Sequence, residues 1–482
     1  MKRLILRQHF KMITRRCYCN TITPINEKLK EIFCLKNTNV SNWIIEGKVQ
    51  SVCSMYYALP KEGKRDFLCT LAMNYAINHN SVFELVKQFT CIEPLDQKQI
   101  IISERTLRNT LTAPYYWLFV LTSRLTYGIK FLVDLRTDLL EFKSELDDME
   151  NTVAIQQLNT TLQDLLLLWF SVGFLHLERI TWQSSCDMLQ KVSDYEAIHP
   201  IRNWADLKRR VGPFRRCYVF THPSMPGEPI VVLHVALCDT IPCTVKGIKE
   251  AEERILNNTT EPISFMQEDK HKIKAAIFYS IASTQKGLQG IELGNYMIKE
   301  VIKKVIEEFP LVNELSSLSP IPNFKTWLLE KIKQDPSNIF DNYERDIIQR
   351  FLRSDNLYTS LKKTFDSSRW TNDIMLTEIL KEPLIRACAR YLYREKRRNY
   401  ALNSVANFHL RNGAVIWRIN WMADPSPRGV TNSCGIMVNY RYFPDETESN
   451  SRNYIEKNII NASEYIIELA SKAVKLEKNN LK

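Results

Sequence analysis

From residue 26 to about Gln190, apolar positions recur every three or four residues with charges between them and few glycines. LLEFKSELDDMENTVAIQQLNTTLQDLLLLWF is typical of the stretch, and this spacing predicts a bundle of amphipathic helices. The texture changes near residue 195. Short apolar runs bounded by turn residues then predict strands at 216–221 (RCYVFT), 229–238 (PIVVLHVALC) and 273–282 (IKAAIFYSIA), the first two joined by the turn-rich HPSMPGE. A helical stretch follows at about 325–396, and a β-rich segment closes the chain. The expected architecture is a helical domain at 27–194, then a mixed α/β domain at 195–482 that carries a helical insertion.

At 482 residues the chain is longer than one hydrophobic core usually supports, which agrees with two domains. The net charge of +11 is less telling than it looks. Residues 1–26 hold Lys2, Arg3, Arg7, Lys11, Arg15 and Arg16 and no acid, so the remainder carries only +5 and offers no tract for nucleic acid. That basic, acid-free start with spaced Leu4, Ile5, Phe10 and Ile13 reads as an amphipathic mitochondrial presequence. The twelve cysteines are scattered and predicted to be mostly reduced, and Cys238/Cys243 lacks the second pair that a zinc site needs. The apolar run at 113–135 is broken by Arg124 and Lys130 and that at 165–175 is short, so neither is expected to span a bilayer.

Three segments carry candidate chemistry. In ALNSVANFHLRNGAVIWRINW, His409 sits within an apolar, aromatic run read as strand-like, with Gly413, Trp417 and Trp421 close by and Asn407, Asn412, Arg418 and Asn420 as partners for an anion. An imidazole so placed is either a neutral core residue or a working group. After the 273–282 strand, STQKGLQGIELGNYMIKEVIKKVIEEF joins a loop with Gly287 and Gly290 to a helix whose Ile291, Ile298, Val301, Ile302, Val305 and Phe309 share a face. Strand, glycine loop and helix start suit a phosphate, although neither a Walker loop nor GxGxxG is present. Alternatively the glycines simply permit a tight connection. In LSSLSPIPNF, Pro320 and Pro322 fix an extended backbone that holds Ser316, Ser317 and Ser319.

Taken with GEPIVVLHVAL, WRINWMAD, RGVTNSCG and NYRYF, these segments resemble the malonyl-CoA decarboxylase family over nearly the whole chain beyond the presequence. The resemblance implies a helical N-terminal domain, which serves oligomerisation, and a C-terminal domain of the GNAT acyltransferase type. It implies a catalytic serine at Ser319, a catalytic histidine at His409, and further site residues at Glu292 and Tyr442. CoA would be held by Gln289, Gly290, Ile291, Glu292, Leu293, Gly294 and Asn295, together with Ser319 and His409. It also implies a homotetramer with a possible intersubunit disulfide at Cys186, a mitochondrial matrix location with a possible cytoplasmic pool, and no metal or organic cofactor. The chain ends Asn-Asn-Leu-Lys and lacks the Ser-Lys-Leu that would send it to peroxisomes. The alternative activity is acyl transfer from CoA to an acceptor amine, the usual work of a GNAT domain.

Overall fold

The computed structural model describes residues 24–479, apart from 37, 94–95, 144, 146–148, 197 and 257–267. The expected presequence therefore lies outside the described residues as far as residue 23. The chain folds as two compact units, one of residues 1–176, 221–230 and 283–292, the other of 177–220, 231–282 and 293–482.

In the first unit, helices over 24–35, Asn42–Tyr57, Lys61–Asn74, Pro114–Ser123, Gly128–Lys143 and Met149–Trp169 surround one core. Leu29, Tyr56, Leu71, Leu132, Leu139, Leu158 and Leu162 are each buried there, and each such side chain contributes roughly 1.5–3 kcal/mol through loss of apolar contact with water. Turns between helices are set by local chemistry. Pro114 occupies a first helical turn, where its missing N–H breaks no bond, and Asn78 and Asp96 cap their helices by accepting from Ser81 and Gln99 amides.

The second unit is built on an eight-stranded mixed sheet. Its strands are β1 (His176–Ile180), β2 (Arg215–Thr221), β3 (Val231–Cys238), β4 (Ala275–Ser283), β5 (Glu314–Ser317), β6 (Ser319–Pro320), β9 (Val415–Asn420) and β10 (Met437–Tyr442); β7 (Lys396–Arg397) and β8 (Tyr400–Ala401) form a separate hairpin. The three predicted strands are β2, β3 and β4, whereas β1 falls in a stretch expected to be helical. Every residue of β3 is buried, which explains an apolar run interrupted only by His234. The order is β1-β2-β3-β4-β5-β10-β6, with β9 also paired to β10.

The β4–β5 pair is parallel, and its register ends at Phe278↔Ser317 although β4 continues to Ser283. The two strands thus part company just where β5 gives way to β6. β5 and β6 then lie end to end along β10, with Ser316↔Arg441 and Ser319↔Val438 as partners. Proline is tolerated in β6 because an edge position leaves its missing N–H without consequence. Helices Phe324–Gln334, Asn342–Leu352, Leu357–Phe365 and Ile374–Tyr393 form the helical insertion. A fold of helices followed by a mixed sheet with helices agrees with the class expected from sequence.

Candidate active site

His409 is on a helix, Ser404–Arg411, and not in the strand-like setting expected for it. Asn403 caps that helix by accepting from the Ala406 amide at 2.9 Å, Ala406, His409 and Leu410 form its buried face, and Gly413 (φ +78°) follows its end. The buried positions follow helical spacing, which Phe408 and the β-rich residues downstream had masked. The same Asn403 side chain donates to the Pro322 carbonyl at 3.0 Å, where the Tyr391 hydroxyl also donates at 3.2 Å. One residue therefore ties the histidine helix to the serine segment.

This tie joins two partners of a short polar chain. His409 Nε2 lies 2.9 Å from Ser319 Oγ, and Nδ1 lies 2.7 Å from the Tyr442 hydroxyl. Ser319 Oγ in turn donates to Ser317 Oγ at 2.8 Å. Ser319, His409 and Tyr442 are only 5%, 3% and 1% exposed. Burial lowers the imidazole pKa to about 3 and raises that of the tyrosine, so His409 is neutral and Tyr442 keeps its proton. The directions then form one series: Tyr442 O–H to Nδ1, Nε2–H to Ser319 Oγ, Ser319 O–H to Ser317 Oγ. The Tyr440 ring stacks on the imidazole with centroids 4.4 Å apart, which fixes its plane.

The helix that follows the glycine loop meets this histidine helix. Asn412 donates to Asn295 Oδ1 at 2.9 Å, and a Cβ on Gly294 would stand 3.1 Å from the Phe408 ring. Glycine at 294 is thus a packing requirement. Leu293 is buried, while Gln289, Gly290 and Glu292 are exposed and Ile291 half-buried, just ahead of the Leu293–Glu308 helix, whose first-turn amides have no intrahelical acceptors. Gly290 has φ +85°, which favours glycine. The structure therefore brings Ser319, His409 and Tyr442 into one hydrogen-bonded chain.

Some expectations shift. Arg418 is turned to the Ile241 carbonyl and to Asn439 Oδ1, which also accepts from Asn420, so these two brace the sheet and are not held ready for an anion. Asn407 accepts from the Tyr454 hydroxyl. Tyr440 and Asn403 are site-forming residues that sequence reasoning did not single out, and Ser317, named there only as one of three serines, is the acceptor for Ser319. A second buried histidine, His234 on β3, sits 3.4 Å from Glu196, itself held by Ser280 and the Ile198 and His199 amides. It has no serine hydroxyl on its ring and belongs to the strand core. Cys186 is an exposed free thiol at the start of the Cys186–Tyr195 helix.

Residues 76–170 match the model of the malonyl-CoA decarboxylase N-terminal domain, and residues 173–480 match that of the C-terminal domain. The chain belongs to the malonyl-CoA decarboxylase family. It is thereby a carboxy-lyase. It is similar to the mitochondrial malonyl-CoA decarboxylase of Mus musculus, with 45% identity over 88% of this chain and 86% of that one, and to that of Anser anser anser, with 44% identity over 86% and 82%. Among solved structures it is similar to the malonyl-CoA decarboxylase of Rhodopseudomonas palustris, with a TM-score of 0.77 and 26% identity over 92% of this chain and 98% of that one. The enzyme of Agrobacterium vitis gives a TM-score of 0.75 at 25% identity, over 93% and 99%. Among the described residues, no helix is long and apolar enough to cross a membrane.

Proposed function

We propose that this chain converts malonyl-CoA to acetyl-CoA and CO2, with Ser319 and His409 handling the proton. The observation that carries this reading is the buried series Tyr442–His409–Ser319–Ser317, set where β4 and β5 separate. Breaking the bond from C2 to the carboxylate sends its electron pair into the thioester carbonyl as an enolate. The substrate thus supplies its own electron sink, and the protein must stabilise the oxyanion and protonate C2.

Both imidazole nitrogens are already engaged with hydroxyls, so the atom left to meet the substrate is Ser319 Oγ. Substrate binding brings a carboxylate, whose negative charge raises the imidazole pKa from its depressed value and draws a proton from water. Once CO2 leaves, Ser319 exchanges its bond to Ser317 for C2 and delivers its proton. His409 Nε2 refills Ser319, which leaves the neutral ring with its proton on Nδ1 and Tyr442 as acceptor; loss of that proton and uptake of one at Nε2 restore the resting series. One proton is consumed per turnover, as decarboxylation of an anion to a neutral acyl group requires. Tyr442 holds the imidazole through Nδ1, and Glu292 with residues 289–295 receives the CoA.

A homotetramer in the mitochondrial matrix, with Cys186 available to a second subunit, completes the reading. The names of the similar vertebrate enzymes support the mitochondrial part.

The test is CO2 and acetyl-CoA release from malonyl-CoA by the purified protein with no acceptor added. Ser319→Ala and His409→Ala should each lower kcat strongly while CoA binding persists. Product that appears only with an added amine would overturn the decarboxylase in favour of an acyltransferase. Near-wild-type turnover in either folded variant would remove that residue from the mechanism.

A further inference from the structure

Arg136, on the Gly128–Lys143 helix of the first unit, is 2% exposed, and no carboxylate among the described residues pairs with it. Its Nε donates to Asn159 Oδ1 at 3.2 Å and its Nη1 to the Gly287 carbonyl at 2.5 Å. A guanidinium stays protonated, and burying one among neutral partners is costly unless an anion compensates it. The backbone above it is packed closely. A Cβ on Gly287 would fall 1.9 Å from the Val133 carbonyl oxygen, and one on Gly290 would fall 3.1 Å from Gln163 Nε2. Asn159 and Gln163 are one helical turn apart on Met149–Trp169, so that helix sets one amide against Arg136 and the next against the loop at Gly290. Gly287 and Leu288 are buried against this support, whereas Gln289 and Gly290 are exposed on the loop.

We propose that Arg136 is a positioning residue for CoA: it fixes the glycine loop through the Gly287 carbonyl and places a buried positive charge beneath it for the nucleotide phosphates. The proposal rests on the CoA-thioester reading above and adds a residue of the helical unit to it. Arg136 does not touch the substrate. Its charge acts across the loop backbone, where solvent screens it little.

Selectivity for phosphates reads this directly. The full-length chain is assayed with malonyl-CoA and with malonyl-pantetheine, which keeps the thioester but lacks the nucleotide, and the ratio of the two kcat/KM values is compared. Arg136→Met should reduce the CoA-to-pantetheine ratio roughly ten- to hundredfold, the scale of one charge acting over several ångströms in protein. Arg136→Lys, which keeps the charge, should retain most of the ratio. Asn159→Asp leaves the guanidinium in place but sets a carboxylate against it, so it should also lower the ratio even if Arg136→Met does not fold. An unchanged ratio in Asn159→Asp, or an equal loss on both substrates in Arg136→Met, would overturn the proposal. If the wild-type chain binds CoA yet releases no CO2, the decarboxylase reading fails alone. The same variants are then compared by their Kd for CoA against pantetheine, with the same expected and overturning outcomes.

Discussion

Asn403 offers a way to separate the stability of the site from its geometry. Its side chain makes two bonds, the helix cap to the Ala406 amide and the link to the Pro322 carbonyl. Loss of an asparagine cap costs about 1 kcal/mol. Loss of the link costs about another 1 kcal/mol, at the lower end for a buried bond because Tyr391 still serves that carbonyl. Asn403→Ala should therefore lose about 2 kcal/mol in urea unfolding. Asn403→Ser keeps a capping oxygen but is too short to reach Pro322, so it should lose only about 1 kcal/mol. Its effect on turnover should be larger than that loss suggests. The link spans from three residues beyond Ser319 to six residues before His409, and slack in it lengthens the 2.9 Å contact between them. A displacement of about 1 Å can cost roughly a hundredfold in rate. Asn403→Ser is thus expected to lower kcat at least about tenfold with KM for malonyl-CoA little changed. Wild-type kcat in a folded Asn403→Ser chain would show that the link is structural only.

The remaining predictions concern charge, an orphaned hydroxyl and the loop. The folded chain holds the His409 pKa near 3, while the unfolded chain takes the proton below about 6.5, so stability falls as pH drops from 6.5 towards 3. Between pH 7 and pH 5 the wild type should lose about 2 kcal/mol more than His409→Gln in urea unfolding; parallel losses would refute the neutral imidazole. Among the described residues the buried Tyr440 hydroxyl has no hydrogen-bond partner, so Tyr440→Phe should leave stability unchanged or raise it by about 1 kcal/mol, with the stacked ring and kcat kept. A drop of melting temperature in that variant would count against it. Gly290→Val must adopt φ +85° and approach Gln163, so KM for malonyl-CoA should rise at least about tenfold; an unchanged KM would remove residue 290 from CoA binding.

Local patterns made the elements legible, and long-range register made the site. The strands at 215–221, 231–238 and 275–283 could be read from short apolar runs and turn residues because they are buried almost throughout, and the helix at 293–308 from its period because one face is buried. The helix that carries His409 was not read from sequence, because its aromatic and apolar neighbours suggested a strand. The Ser319–His409 contact spans 90 residues, and only the family resemblance pointed to it. Arg418 and Asn420 show why composition misleads. They looked like ligands for an anion, but the pairing of β9 with β10 shifts register between Asn439 and Tyr440. At that irregularity Asn439 Oδ1 accepts three N–H bonds, two from Arg418 at 3.0 and 3.1 Å and one from Asn420 at 2.8 Å, while Asn439 Nδ2 donates to the Ser317 carbonyl at 2.8 Å. The extra residue is Trp417 of β9, so the bulge lies in β9, and β10 runs on without an insertion to Tyr440, stacked on His409, and Tyr442, bonded to it. The polar residues that suggested a binding site thus serve it at one remove, by bracing Asn439 on β10, the strand that carries both tyrosines to the histidine.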